Sequence, residues 1–473
     1  MKSKSIAILL AGALAALAWA TPPPDRIALT NARIIPIVGP EIAKGAILIE
    51  HGKIAAIGPV DQVEIPFDAR EFDLTGKVVM AGLVNVHSQD PLDVPNESRP
   101  VTPQLDAADA LEPASLLLED ALRLGVTTIH VIPGNDCVIG GLGRAVRPIG
   151  LSVAEMTLVP GGFLKLSTGA RSGYDRMKQL AELREAFAEL QDYLAKTAEK
   201  EYEDEQNKGG KPIEVGPAEA RRRGQALLTA EDIDDQHRNL LRLVGGEVKL
   251  DEANPKALFE PLGAFIYCAK AMDVGPAIRI AKEHGFFDRT VLVLGGEAYK
   301  AVAELKKAAL PVVLPNEFVY RETDIFTGRE KETFVPKVIA DAGLQFAIVP
   351  GPNDALAERQ MTYQAARCVR AGIGRDVALR AITLNPAKML GLDKMLGSLE
   401  VGKVANIAVY SGDPLDFESV VELVFVDGIP AYERSKDVRL KRLNAPGAAP
   451  AKSGEKSGGR FRGKAAEKAG ARD

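Results

Sequence analysis

The sequence predicts an α/β chain built around a (β/α) barrel, with a small β domain made from both ends of the chain. Three observations carry this. Short apolar runs alternate with helical periodicity over roughly three hundred residues, the pattern of a parallel α/β fold. From Ile27 to about Met80, and again from Ala405 to Val426, the runs are short, β-like and joined by Gly turns. With 473 residues, 46% of them hydrophobic, the chain can bury a large core and a second unit as well.

The N-terminus reads as a secretion signal, residues 1–20. Lys2 and Lys4 precede the apolar run from Ile6 to Ala18, and Ala18-Trp19-Ala20 fits a small-x-small cleavage site. Cleavage after Ala20 and export to a bacterial periplasm are expected. The run is too short for a membrane span, and no other stretch resembles one. No cysteine follows the cleavage site, which argues against a lipid anchor.

Thr21-Pro22-Pro23-Pro24 is a stiff lead-in. The runs Ile27-Ala28-Leu29-Thr30, Ala46–Glu50 and Lys53–Ile57 follow, the last two separated by the hairpin turn His51-Gly52. The same style returns in Ala405–Tyr410 and Val421–Val426, with Asp427-Gly428 as a turn. Between these ends, Thr127–Ile132, Ala264–Cys268, Thr290–Leu294, Pro311–Leu314 and Phe346–Val349 read as buried strands, with helical stretches such as Ala298–Ala309 between them. In a (β/α) barrel, chemistry sits just past the C-terminal ends of strands. His87, Tyr267, Leu294 and Pro350 fall at such ends.

Residues from Phe187 to Leu250 are rich in Glu, Lys and Arg and read as solvated outer helices, broken by Gly209-Gly210-Lys211-Pro212. The tail, residues 444–473, is Gly, Ala, Lys and Arg and should be disordered. A net charge of −5 gives no sign of nucleic-acid binding. The three cysteines, Cys137, Cys268 and Cys368, form no CxxC and read as buried free thiols; a Cys137 nucleophile is the sharper alternative. Five histidines are few for a two-metal site. His51 sits in a turn, His130 mid-strand facing the core or a helix layer, and His237 and His284 in charged stretches that read as surface.

The segment Gly82-Leu83-Val84-Asn85-Val86-His87-Ser88-Gln89 offers the frame of a metal site and omits half of it. Side chains at i and i+2 on extended backbone share a face, so a second histidine at 89 would reach the same ion as His87. Gln89 is a neutral, weak ligand.

Three stretches together resemble the amidohydrolase superfamily, in its imidazolonepropionase-like secreted branch. They are Gly76–His87; Leu124–Gly134 followed by the Gly-rich Ile139–Gly143; and Ala381–Leu392 followed by Gly397–Lys403. The resemblance covers nearly everything from Ile27 to Tyr432. It implies a (β/α)8 TIM-like barrel over 81–396 and a β-sandwich domain from 25–80 plus 397–440. It also implies metal-dependent hydrolysis of carbon–nitrogen bonds in cyclic or linear amides.

Carried over residue by residue, most metal-ligand positions are substituted. His87 matches the first histidine of the family's His-x-His and Gln89 replaces the second. Lys165, in Lys165-Leu166-Ser167-Thr168-Gly169, fits the place of the bridging, carboxylated lysine. Tyr267-Cys268-Ala269 stands for His-Ala-His, and Val293-Leu294-Gly295 for the next histidine strand. Asp354, two or three residues displaced, is the nearest carboxylate to the family's metal-binding general base. The family context explains Gly140-Gly141 as a lid or barrel-mouth loop.

The candidate catalytic residues at the barrel mouth are therefore His87, Lys165, Tyr267 and Asp354, with Gln89, Asn135 and Asn353 as ligand-binding candidates. His87 and Lys165 are the remnant of the metal set. A catalytic zinc needs about three protein ligands and an open position, so no cofactor is expected, with zinc as the alternative. Tyr267 beside His87 offers a proton relay; a buried His87 satisfied by Gln89 and Asn85 is the structural reading. Lys165, if not carboxylated, should be an ammonium neutralised by an acid or by solvent.

Two readings of function follow. In the first the chain is a non-catalytic relative that binds a small-molecule or peptide-like ligand, as a homodimer or paired with a metal-bearing homologue. In the second it is a diverged hydrolase with one weakly held metal.

Overall fold

The computed structural model describes residues 26–208, 215–245, 260–350 and 360–444. The signal segment, the Gly209 break, Asn353, Asp354 and the tail beyond residue 444 lie outside the described residues. The chain divides into Met1–Glu433 and Arg434–Asp473. In the second unit the described residues form a turn at Arg434–Lys436 and a helix at Val438–Leu443.

The first sheet begins with β1 (Arg26–Ile35), β2 (Ile42–Glu50), β3 (Lys53–Pro59), β4 (Arg70–Asp73) and β5 (Val78–Ala81). Its β2–β3 turn is tight because His51 (φ 51°) and Gly52 (φ 76°) both adopt left-handed backbone, the geometry a two-residue hairpin needs. β1 branches the sheet: its first half pairs with β4 and its second half with β5.

The second sheet runs in chain order through β6 (Leu83–Ser88), β7 (Val126–Val131), β8 (Ile139–Val146), β9 (Thr157–Ser167), β10 (Gly263–Cys268), β11 (Thr290–Leu294) and β12 (Val312–Leu314). A separate ribbon, β13 (Val319–Thr323) and β14 (Glu330–Phe334), leaves after β12 before the chain returns as β15 (Phe346–Ile348) beside β12. Neighbours are parallel except at β8, which is antiparallel to both β7 and β9. Ala381-Ile382 bridges the remaining gap: Val84 N donates to Ile382 O at 3.0 Å and Ile348 N to Ala381 O at 3.0 Å. The result is a nearly closed eight-stranded barrel. Val84, Val86, Phe265, Val291, Val293 and Ala347 fill it, and the opposite faces of the strands pack against the helices.

The last strands, β16 (Ile407–Tyr410), β17 (Val421–Val426) and β18 (Ile429–Glu433), return to the first sheet. Val409 pairs with Val79, so a strand from the end of the chain lies beside β5 from its start. β5 then leads through Gly82 directly into barrel strand β6.

Two expectations are corrected here. Gly140 and Gly141 belong to no lid: they lie within β8. Missing side chains are what let this strand fit. A Cβ on Gly141 would stand 2.5 Å from Leu105 O, and one on Gly143 2.4 Å from His130 Nε2. His237 and His284 are not surface residues. Each is half-buried as a stacking partner, His237 on Tyr193 at 3.9 Å and His284 on Phe187 at 4.0 Å. Their helices carry many charges, yet the helix Arg176–Lys208 buries a stripe of Leu183, Phe187 and Leu190.

Candidate functional site

The barrel mouth holds a cavity of about 390 Å³ lined at its strand ends by His87, Gln89, Asn135, Tyr267 and Leu294. Pairing between β6 and β7 slips by one residue between Asn85↔Ile129 and Ser88↔Val131. Val84 and Val86 point into the barrel, and this bulge lets His87, one position further, reach the cavity as well.

Lys165 is the central group. It is fully buried on β9, between the inward Phe163 and Ser167. Its Nζ lies 2.8 Å from His87 Nε2 and donates to Asn135 Oδ1 at 2.6 Å. The Tyr267 ring centroid is 5.9 Å from the same nitrogen. Burial lowers the Lys165 pKa to about 8 and Tyr267 is raised by burial. Burial, and then the Lys165 charge, hold His87 well below the ordinary histidine value. A neutral imidazole accepting from the amine is the consistent pairing.

The expected partners of both groups are thereby corrected. Asn85 Oδ1 accepts from the backbone N–H of His87 at 3.3 Å, and the ring is met by Lys165. Gln89 does not satisfy it: Gln89 Oε1 is buried with no donor. Nor does an acid neutralise Lys165 among the described residues: its partners there are an imidazole and an amide.

His130 sits behind the site. Its Nδ1 meets Val86 O at 2.9 Å, its ring packs on Phe265 at 4.9 Å, and burial lowers its pKa to about 4. It is a neutral core histidine. Cys137, Cys268 and Cys368 are free, buried thiols. Burial pushes Cys137 up to about 11 and Cys268 up to about 12, and a thiol so disposed is not a nucleophile at neutral pH.

The fold implies a metal, and the donors that the described residues bring to the mouth do not fit one. Among the described residues no three His, Cys, Asp or Glu side chains come together to hold an ion. Tyr267 and Leu294 stand at strand ends where ligands would be needed, and the two surviving candidates are bonded to each other. The arrangement can bind: it presents amide, phenol and imidazole groups in a concave, partly apolar cavity.

Sequence reasoning missed two groups in the wall, Asp90 and Glu317. Both lie in loops two or three residues past strands it had found, and that position was the available signal.

A model described as "Amidohydrolase family" matches residues 348–432. Amidohydrolase tasK from Hapsidospora irregularis is 24% identical over 82% of this chain, which spans only 40% of that protein's length. Imidazolonepropionase from Symbiobacterium thermophilum is 25% identical over 78% of this chain and 84% of its own. The crystal structure of an amidohydrolase from Thermotoga maritima superposes with a TM-score of 0.69 at 27% identity, over 86% of this chain and all of that one. A barrel fed directly from a β sheet shared by both chain ends, and these matches across its length, have one account: the chain belongs to the amidohydrolase superfamily and is imidazolonepropionase-like.

Proposed function

We propose that this chain is an exported, metal-poor member of the superfamily whose barrel mouth binds a peptide-like amide without hydrolysing it. The observation that carries the reading is the 2.8 Å contact between Lys165 Nζ and His87 Nε2. By the resemblance, both positions belong to the family's metal set. Here the Lys165 amine meets the His87 imidazole directly, and an amine hydrogen-bonded to an imidazole needs no metal to be satisfied. The 390 Å³ cavity above it remains large enough for a small ligand.

Lys2, Lys4 and the apolar run to Ala18 support export with cleavage after Ala20. No helix among the described residues is long and apolar enough to cross a membrane. A non-catalytic chain of this kind acts through what it binds, and a metal-bearing homologue is the partner we propose alongside a homodimer. The alternative, a hydrolase with one weakly held metal, draws on the retention of Lys165.

The test is the metal content of the purified mature protein, by elemental mass spectrometry, with zinc, manganese and iron offered during expression. Well under one metal per chain is expected. About one metal or more, lost in His87→Ala, would restore the hydrolase and end the metal-poor reading.

A further inference from the structure

We infer that a second cavity, beside the barrel mouth and separate from it, binds a neutral apolar group about the size of one ring. The inference goes beyond the reading above and stands whatever the mouth itself binds.

This cavity has a volume of about 170 Å³ and lies between the loop after β6, the end of β7 and the glycines of β8. Among the described residues it shares no lining residue with the mouth. Gly134 stands on the boundary: a Cβ there would strike Gln89 of the mouth on one side and Asn96 of the second cavity on the other.

The wall is mostly apolar. Leu92, Val94, Leu105, Ala107, Ala110 and Pro133 line it, and Gly140 and Gly141 add bare backbone. The polar side chains in the wall are largely engaged within the protein. Asp106 accepts from Arg144 at 2.8 and 2.5 Å and from Ala108 N at 2.9 Å. Asn96 Oδ1 accepts from Asp136 N at 2.9 Å, and Thr102 donates to Ile139 O at 3.4 Å. A polar ligand would give up water there for few new partners, whereas an apolar one gains by leaving water. Glu97 and Asp109 are exposed at the rim. They set two carboxylates at the entrance, against an anion.

The space is held open by its frame. Thr102 N donates to Ile139 O at 2.8 Å and Leu142 N to Leu105 O at 2.8 Å, fastening the loop to β8 at two points. Gly134 N donates to Pro95 O at 2.6 Å, fastening the same loop to the end of β7. Interiors leave few voids larger than a water molecule. An apolar cavity of roughly 150 Å³ in another protein takes up benzene, so this one suits a single aromatic or cyclic aliphatic ring. Cys137 lies in the wall, buried, and serves as a reporter.

Fluorine NMR titration of the mature protein with 4-fluorotoluene, and with its anionic near-isostere 4-fluorobenzoate, tests the inference. The neutral probe should bind at least about tenfold tighter than the anion. Ala110→Phe places a ring in the cavity from its half-exposed edge, and should weaken 4-fluorotoluene by about tenfold or more. Leu105→Asn, at an exposed position, should weaken it by about threefold and serves if Ala110→Phe does not fold. Saturating 4-fluorotoluene should also slow the reaction of Cys137 with a thiol reagent by about threefold or more. Cys268 on β10 and Cys368 on the helix Met361–Arg370 should react at unchanged rates, which separates local protection from general stabilisation. Benzoate binding as tightly as toluene would overturn the apolar character of the site. Toluene binding that the folded variants leave unchanged, or that slows all three thiols alike, would overturn the assignment to this cavity. No binding of 4-fluorotoluene would overturn the inference outright and leave the reading of the mouth untouched.

Discussion

Lys165 Nζ and His87 Nε2 meet at 2.8 Å across 78 residues of sequence. The amine is fully buried and its partners there, an imidazole and the Asn135 amide, are uncharged, so among the described residues folding takes a cation out of water without giving it a counter-ion. That has a cost that depends on pH.

Burial holds Lys165 at about 8, against roughly 10.4 for a free lysine. Between those values the unfolded chain binds more protons than the folded one, so stability rises with pH across that window. The cost is fully present below pH 8 and gone above roughly pH 10.4, and amounts to about 3 kcal/mol. Lys165→Met abolishes the titration, while leaving Asn135 Oδ1 and the His87 ring without a donor at about 1–3 kcal/mol each. Wild type should therefore gain on Lys165→Met by about 3 kcal/mol between about pH 7.5 and 10.5. Urea unfolding of both proteins across that range measures it; a constant difference would mean that Lys165 is not the buried cation described.

Two glycines near the site should differ sharply. A Cβ at Gly143 would stand 2.4 Å from His130 Nε2, in a ring held by Phe163 and Phe265. A Cβ at Gly134 would meet Gln89 Oε1, the far end of a flexible side chain, and Asn96 Oδ1, which accepts from Asp136 N at 2.9 Å. Gly143→Ala is expected to cost about 1–3 kcal/mol, as overpacking does, and Gly134→Ala about 1 kcal/mol, the size of the Asn96 hydrogen bond it displaces. Gly134→Ala should instead disturb ligand binding by moving Gln89. Denaturation midpoints compare the two; equal losses of stability would show that the Gly134 neighbours are as rigid as the His130 ring.

The thiols provide a check on the core. All three cysteines are buried, and Cys137 is pushed up to about 11. Reaction with a disulfide reagent at pH 8 should be slow for the native protein and should reach three thiols per chain in denaturant. Rapid native labelling of Cys137 would reopen its role as a nucleophile.

Much of this architecture could be read from residue patterns. The runs at Thr127, Ala264, Thr290, Pro311 and Phe346 are strands because buried parallel strands are continuously apolar. β8 was illegible for the opposite reason. Its glycines carry no apolar signal, and its place is set by the close approach of Leu105 and His130 from elsewhere in the chain. The barrel closure was hidden too, because Ala381-Ile382 contributes two backbone carbonyls rather than a strand. At the site, His87 and Lys165 could be named from the sequence, but not joined. Their contact depends on a bulge in β6 and on the register of β9, which no local pattern encodes. His237 and His284 were misread because charged neighbours mask the aromatic rings they stack on.

Rebuilding the missing ligands gives the sharpest prediction. The metal-poor reading holds that the barrel lacks donors and nothing else, so restoring them should restore an ion. Gln89→His supplies a second imidazole beside His87, but two ligands fall short of the roughly three that a zinc site uses. Tyr267→His adds the third from β10. His87 is already neutral at pH 7, the state a metal requires, while the Lys165 ammonium opposes a dication and loses its charge near pH 8. The double variant should therefore take up about one zinc per chain, more tightly above pH 8 than below it, and Gln89→His alone far less. Equilibrium dialysis followed by elemental mass spectrometry reads this directly. Stoichiometric zinc in wild type or in the single variant would mean that ligands outside the described residues complete the site. No zinc in a folded double variant would mean that the Lys165–His87 contact is too stable for an ion to open.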